Sequence, residues 1–226
     1  MDIQLYYTEQ GRGEPLILLH GNGEDGSYFA KQIPYFARNY RVIAVDTRGH
    51  GQSPRGTAPF TIRQFAEDLK DLLDELGITK AHILGFSDGG NIALVFALRY
   101  PERVDHLILN GANLNGRGVK AKIQIPIILG YHLAKRLARK DPEARKKAEL
   151  LGLMVHDPNV APRELRRIKA PVLVIAGTDD MIKEKHTRKI GAHLPKAHTV
   201  FIPGDHFIAR KNPEDFNYQV ERFLEQ

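Results

Sequence analysis

Cysteine is absent from the 226 residues, which excludes disulfides, thiolate metal centres and a cysteine nucleophile. That absence fits a reducing compartment, and a cytoplasmic protein is the expectation. Long apolar runs are missing as well: no stretch approaches the roughly 20 residues that a membrane-spanning helix needs. The first residues, Met1-Asp2-Ile3-Gln4, carry an acid where a secretory leader carries bases, and no leader-like apolar segment follows. Serine is scarce, occurring only as Ser27, Ser53 and Ser87. Against these gaps, 42% hydrophobic and 27% charged residues describe a globular chain able to bury one sizeable core.

The formal net charge is +6, and its placement decides what it means. Between Lys120 and Glu149 there are nine Lys/Arg and three acids, a net of +6, so the rest of the chain is neutral overall. The basicity belongs to one segment, and no nucleic-acid partner is expected.

Short apolar runs alternate with helical patterns along the chain. Pro15–His20, Arg41–Asp46, Ala81–Gly85, Val104–Asn110, Val172–Gly177 and Thr199–Ile202 read as strands, several of them apolar almost throughout, as in a sheet covered on both faces. Ile3–Thr8 reads as an antiparallel edge strand. Thr61–Leu76 carries Ile62, Phe65, Ala66, Leu69, Leu72, Leu73 and Leu76 at helical spacing; Asp88–Arg99, Glu184–His193 and Pro213–Leu224 also read as helices. This alternation predicts an α/β fold with a doubly wound, mostly parallel sheet. It breaks once. Residues 114–168 show no strand with a helical partner and read as a helical insertion, leaving 1–113 and 169–226 as the core.

In open parallel sheets the working loops lie at the carboxyl ends of the strands, and this rule sorts the candidates. Gly85-Phe86-Ser87-Asp88-Gly89 follows a strand and opens a helix, the setting of a nucleophile elbow, where flanking glycines permit a sharp turn that holds the serine Oγ clear of the sheet. A serine hydroxyl needs a base. Of ten histidines, His206 in "IPGDHFIA" follows the last strand, whereas His198 precedes it and His82 and His106 begin or enter strands, where a partly buried structural role is expected. The base needs a carboxylate, and Thr178-Asp179-Asp180 follows "VLVIAG" at the same edge, so the acid is Asp179 or Asp180. Asp105 precedes the body of its strand, whose exit carries Asn110 and Asn113 instead. The oxyanion formed on attack needs two N–H donors: Asp88, directly after the serine, and the loop "HGNGEDG" with Asn22 at the site edge. No GxxxxGK[ST] occurs and no GxGxxG opens a helix, so nucleotide binding has no support.

Together "LLHGNG", "VIAVDTRGHGQSP", "LGFSDGG", "PVLVIAGTDD" and "IPGDHF" resemble the α/β-hydrolase superfamily, specifically its small lid-bearing, esterase-like members. The likeness spans nearly the whole chain and is strongest from Leu16 to Asn113. It implies Ser87 as nucleophile, Asp180 as acid, His206 as base, and the backbone N–H groups of Asn22 and Asp88 as the oxyanion hole. It also implies a short helical lid inserted after the sixth strand, and gives Asp46 and His50, in Asp46-Thr47-Arg48-Gly49-His50-Gly51, a structural turn rather than a catalytic role. Serine at position 87, where an aspartate would stand, speaks against the family's haloalkane dehalogenases and epoxide hydrolases. The expected activity is hydrolysis of a small-molecule acyl substrate, an ester first, with a thioester, a carbon–carbon bond or non-catalytic ligand binding as alternatives, and with no metal or organic cofactor. Three features depart from the family pattern: an N-terminal edge too short for the usual first hairpin, a modest insertion, and Asp205, a second carboxylate placed to raise the imidazole pKa. Within the insertion, Ile123, Ile125, Ile127, Ile128, Leu129, Tyr131 and Leu133 are candidates for an apolar acyl pocket or for packing onto the core. Lys135, Arg136, Arg139, Lys140, Arg145, Lys146 and Lys147 read as a solvated face, or as guidance for an anionic substrate.

Overall fold

The unbroken apolar runs occupy the middle of a seven-stranded sheet, where helices cover both faces. The computed structural model describes residues 2–226. Its strands, β1 (Tyr7–Gln10), β2 (Glu14–Leu19), β3 (Tyr40–Val45), β4 (Ala81–Phe86), β5 (Val104–Asn110), β6 (Val172–Gly177) and β7 (Ala197–Ile202), stand in the order β1-β3-β2-β4-β5-β6-β7. All neighbours pair in parallel except β1, which runs antiparallel to β3. β4 and β6 are buried at every residue, while the edge strands β1 and β7 are partly exposed. The fold is the doubly wound α/β arrangement that the alternation predicts.

The helices are α1 (Ile33–Phe36), α2 (Ile62–Glu75), α3 (Asp88–Arg99), α4 (Ala121–Leu137), α5 (Pro142–His156), α6 (Glu184–His193), α7 (Ile208–Lys211) and α8 (Pro213–Leu224). Successive strand residues point to opposite faces and feed two separate cores. Ile17 and Leu19 of β2 pack with Phe65, Leu69 and Leu73 of α2 and with α3, whereas Leu16 and Leu18 pack with Phe29, Phe36 and Phe216, Val220 and Phe223 of α8. α2 starts where Thr61 Oγ1 accepts from Gln64 N at 3.1 Å. Asp68 on its inner face makes a paired ion bridge, at 2.7 and 2.6 Å, to the fully buried Arg48.

Two expectations about the edges change. The N-terminal strand is Tyr7–Gln10 rather than Ile3–Thr8. Ile3 and Leu5 are buried because they pack on the α2 core, while Tyr6 keeps only its carbonyl on the β3 side, accepting Asp46 N (2.9 Å), and donates its N–H to Ser53 Oγ at 2.8 Å. The helical insertion follows the fifth strand of this chain, not the sixth, because the N-terminal edge supplies one strand where a hairpin would supply two. Between β5 and β6 run a 3-10 turn (Gly116–Gly118), α4, α5 and a second 3-10 turn, Pro162–Arg167. The segment is tied at its base: Val160 N donates to Leu114 O (2.9 Å), Lys120 N to Met181 O (2.8 Å) and Lys183 N to Gly118 O (2.8 Å).

Candidate active site

β4 delivers its chain to α3 through one residue, Ser87, with φ 53° and ψ −117°. A side chain in this region costs on the order of 1–3 kcal/mol and persists only where its surroundings fix it. The surroundings here are tight backbone contacts. A Cβ on Gly89 would stand 2.0 Å from Leu19 O, and one on Gly85 would stand 2.2 Å from Gly89 O, so both positions require glycine. Ser87 N donates to Asn110 O (2.8 Å), and Ser87 O accepts Asn91 N (3.0 Å), anchoring the elbow to β5 and to the helix behind it.

His206 arrives from the turn after β7. Its Nε2 lies 3.0 Å from Ser87 Oγ and its Nδ1 2.7 Å from Asp180 Oδ1. Asp180 Oδ1 also accepts Ile182 N at 2.8 Å, which fixes the carboxylate. Asp180 and His206 are buried, and Ser87 keeps partial exposure. The choice between adjacent acids is clear in the geometry: Asp179 points to solvent and pairs with Lys120 Nζ at 2.8 Å. Gly111 leaves room for the imidazole, since a Cβ there would lie 2.7 Å from His206 Cε1. Phe86 and Phe207 wall the ring, with centroids 4.9 and 5.6 Å away.

Asp205 makes no hydrogen bond to the imidazole. Its carboxylate turns to Lys211 Nζ and to Phe207 N (2.9 Å). The hydrogen bond from Lys211 leads the causes that hold its pKa below the usual range. His82, His106 and His198 lie near the opposite edge of the sheet. Asp46 accepts Gly26 N (2.7 Å) and Gln52 N (2.8 Å), tying two loops together, and His50 Nδ1 sits 3.0 Å from Arg48 O. Both residues hold the turn and neither approaches Ser87 through a hydrogen bond.

Asn22 and Asp88 flank the elbow, and among the described residues neither backbone N–H is engaged by a protein acceptor. Their side chains form a network that the motifs do not reveal. Asn22 Nδ2 donates to Asp88 Oδ2 (2.9 Å) and to Leu150 O of α5 (2.8 Å); Asn91 Nδ2 donates to Asp88 Oδ1 (3.1 Å) and to Asn113 Oδ1 (3.1 Å). Asp88 is buried, and desolvation pushes its carboxyl up to about 6 against the pull of the two amide donors. A second strap joins α5 to the loop after β3, where Arg55 donates to Glu149 through Nε and Nη2 at 2.9 and 2.6 Å. No sequence signal pairs residues so far apart.

The apolar face proposed for α4 divides. Tyr131 is buried and Ile123, Ile127 and Ile128 are half-buried, but Ile125, Leu129 and Leu133 are 57%, 66% and 61% exposed and face solvent. All seven basic residues from Lys135 to Lys147 are exposed. Among the described residues, no helix is long and apolar enough to cross a membrane.

The sequence pattern of the α/β hydrolase fold matches residues 14–126, half of the chain. The chain belongs to the α/β-hydrolase family. It is 31% identical to a 2-hydroxy-6-oxononadienedioate/2-hydroxy-6-oxononatrienedioate hydrolase of Paraburkholderia phymatum, over 100% of this chain and 92% of that protein. It is 30% identical to a candidate carbamate hydrolase, RutD, of Caulobacter sp. strain K31, over 93% of this chain and 90% of the relative. Among solved structures, a meta-cleavage product hydrolase of Pseudomonas fluorescens IP01 superposes with a TM-score of 0.80 at 25% identity, covering 99% of this chain and 94% of the other. This α/β-hydrolase is thus an enzyme of the hydrolase class.

Proposed function

We propose that this α/β-hydrolase cleaves a small-molecule carboxylic ester through an acyl-enzyme on Ser87. The observation that carries the reading is the continuous chain from Ser87 Oγ through His206 to Asp180, at 3.0 and 2.7 Å, mounted on a strained elbow. Ser87 Oγ attacks the carbonyl carbon while His206 Nε2 takes its proton, and Asp180 stabilises the imidazolium and fixes its orientation. The carbonyl oxygen becomes an oxyanion held by the N–H groups of Asn22 and Asp88. Collapse breaks the bond to the alkoxy group, which leaves as the alcohol with the proton from His206. Water then gives a proton to His206 and attacks the acyl carbon, and the acid departs as Ser87 recovers its proton. The helices α4 and α5 act as a lid, held near the site by the Asn22 and Arg55 contacts to α5.

A second reading, hydrolysis of a carbon–carbon bond next to a ketone, is favoured by the likeness to the dienedioate hydrolase and uses the same three residues. One kinetic panel separates them: p-nitrophenyl esters and CoA thioesters of graded acyl length, an aryl carbamate and a 2-hydroxy-6-oxo-dienoate. The ester reading expects the highest kcat/KM on an ester. A dienoate preferred by a hundredfold or more would replace it with the carbon–carbon reading, and a carbamate or thioester preference would reassign the leaving group.

A further inference from the structure

At the far end of the same strands, β4 and β5 fall out of register. Ala81 pairs with Val104 but Ile83 pairs with Leu107, so one residue, His82, faces two, Asp105 and His106. Consecutive residues of a regular strand point to opposite faces; a bulge re-aims a side chain, and here it lets Asp105 and His106 both turn toward His82. Each of the three residues brings one donor atom to a cluster in which all lie within 4.8 Å of one another. Asp105 Oδ2 lies 3.6 Å from His82 Nδ1 and 3.4 Å from His106 Nδ1. Those separations are too long for good hydrogen bonds. They match the edges of a tetrahedron whose centre binds each ligand at about 2.0–2.2 Å.

Two further observations point inward to a ligand. Both Nδ1 atoms are buried and without a hydrogen-bond partner, and His82 as a residue is 3% exposed. Buried ring nitrogens left unpaired carry a desolvation cost that a bound group would offset. The opposite nitrogen of His82, Nε2, lies 3.1 Å from Glu14 Oε2 at the start of β2. A ring that donates Nε2–H to a carboxylate presents a lone pair at Nδ1, the outer arrangement that orients metal-binding histidines. Asp105 and His106 line an open groove of about 890 Å³, which supplies an entry path. Lys80 occupies the other oxygen of Asp105 and leaves Oδ2 free for the convergent position.

We propose that His82, Asp105 and His106 bind a first-row divalent cation of the Zn2+ type, with water completing the coordination. Two imidazoles and one carboxylate select such ions over Mg2+ and Ca2+, which prefer all-oxygen sites. The site clamps β4 to β5 at the amino edge of the sheet. His82 stands five residues before Ser87 on an extended strand, on the order of 17 Å away, so the ion takes no part in acyl transfer.

The test is titration of the chelator-treated, untagged full chain with Zn2+ by calorimetry, with Mg2+ as control and with thermal unfolding followed in parallel. One equivalent of Zn2+ and a raised Tm are expected, with no response to Mg2+. Asp105→Asn and His106→Gln should each weaken Zn2+ binding at least tenfold. Glu14→Gln, at an exposed outer position that leaves the core untouched, should weaken it about tenfold and keeps the test valid if either inner variant fails to fold. No Zn2+ binding by the parent protein, or equal binding by the parent and all three variants, would overturn the proposal. The second result would move the ion elsewhere, the Asp180–His206 pair included.

Discussion

Two groups of histidine and aspartate sit at opposite ends of one sheet, built from the same chemistry to different spacing. At the carboxyl edge, Asp180 and His206 touch at 2.7 Å, and the second ring nitrogen reaches Ser87 at 3.0 Å, so every polar atom of the imidazole is committed. At the amino edge, Asp105 stands 3.4 and 3.6 Å from two rings whose facing nitrogens have no partner. Less than an ångström separates the two cases. The shorter distances are direct hydrogen bonds along one line, and the longer ones leave a space between three donors. Residue type therefore does not assign a role here; the distance between atoms and the number of unpaired lone pairs do.

The same substitution at each end is the strongest way to break that comparison. Asp180→Asn should lower kcat/KM by about 10⁴-fold, because the amide cannot hold the imidazole in the required tautomer. Ser87→Ala should lower kcat by roughly 10⁴–10⁶-fold and abolish labelling by a fluorophosphonate. Asp105→Asn and Asp179→Asn should stay within a few-fold of the parent on the same substrate. Labelling that survived Ser87→Ala, or an Asp179 variant more damaged than the Asp180 variant, would dissolve the contrast between the two ends.

A smaller effect sharpens the comparison through Asp88, a buried carboxyl that serves neither as relay nor as ligand. Its carboxyl is raised from 3.8 to about 6, burial being the first cause. The folded protein therefore binds a proton here at a pH where the unfolded chain does not. The stability contributed by this group increases as pH falls through about 6 and levels off below about 4. A rise of this size corresponds to about 3 kcal/mol at most. The difference in Tm between the parent and Asp88→Asn should accordingly move in the parent's favour between pH 7 and pH 4. A difference that stayed flat across this range would remove the titration from Asp88.

The smallest effect concerns charge around the carboxyl edge alone. The exposed lysines and arginines of α4 and α5 should make kcat/KM for an anionic thioester fall more steeply with salt than for a neutral ester of equal acyl length. Lys146→Gln with Lys147→Gln should flatten the steeper curve. Parallel curves would leave the basic face to solvation.

The carboxyl edge was readable in the sequence because its chemistry is local. A glycine on each side of Ser87, an acid after "VLVIAG" and a histidine after the last strand are each fixed by position relative to a strand end, and the parallel fold brings strand ends together without further information. The choice of Asp180 over Asp179 needed the family resemblance, since both acids leave the same strand. The amino edge was hidden for the opposite reason. His82, Asp105 and His106 converge through a shift in pairing between two strands, and register across parallel strands leaves no mark in either strand's own alternation. The Asn22–Asp88–Asn91–Asn113 network was hidden in the same way. On α4 the apolar residues were visible, but their spacing could not tell which side the remaining structure covers, so Leu129 and Leu133 emerge on the solvent side.

The bond from Val160 N to Leu114 O has a meaning for how such a chain can change over time. It holds residues 114 and 160 together at 2.9 Å, so everything between them is a loop whose two ends already meet. The entropy of closing a loop grows only with the logarithm of its length, about 0.6 kcal/mol for each doubling. Residues 115–159 can therefore lengthen or shorten at little entropic cost, provided Leu153 stays packed in the core and the Asn22 and Arg55 ties to α5 are kept. Variation in substrate choice has a place to accumulate, while the strands that set the reacting atoms stay under unchanged constraint.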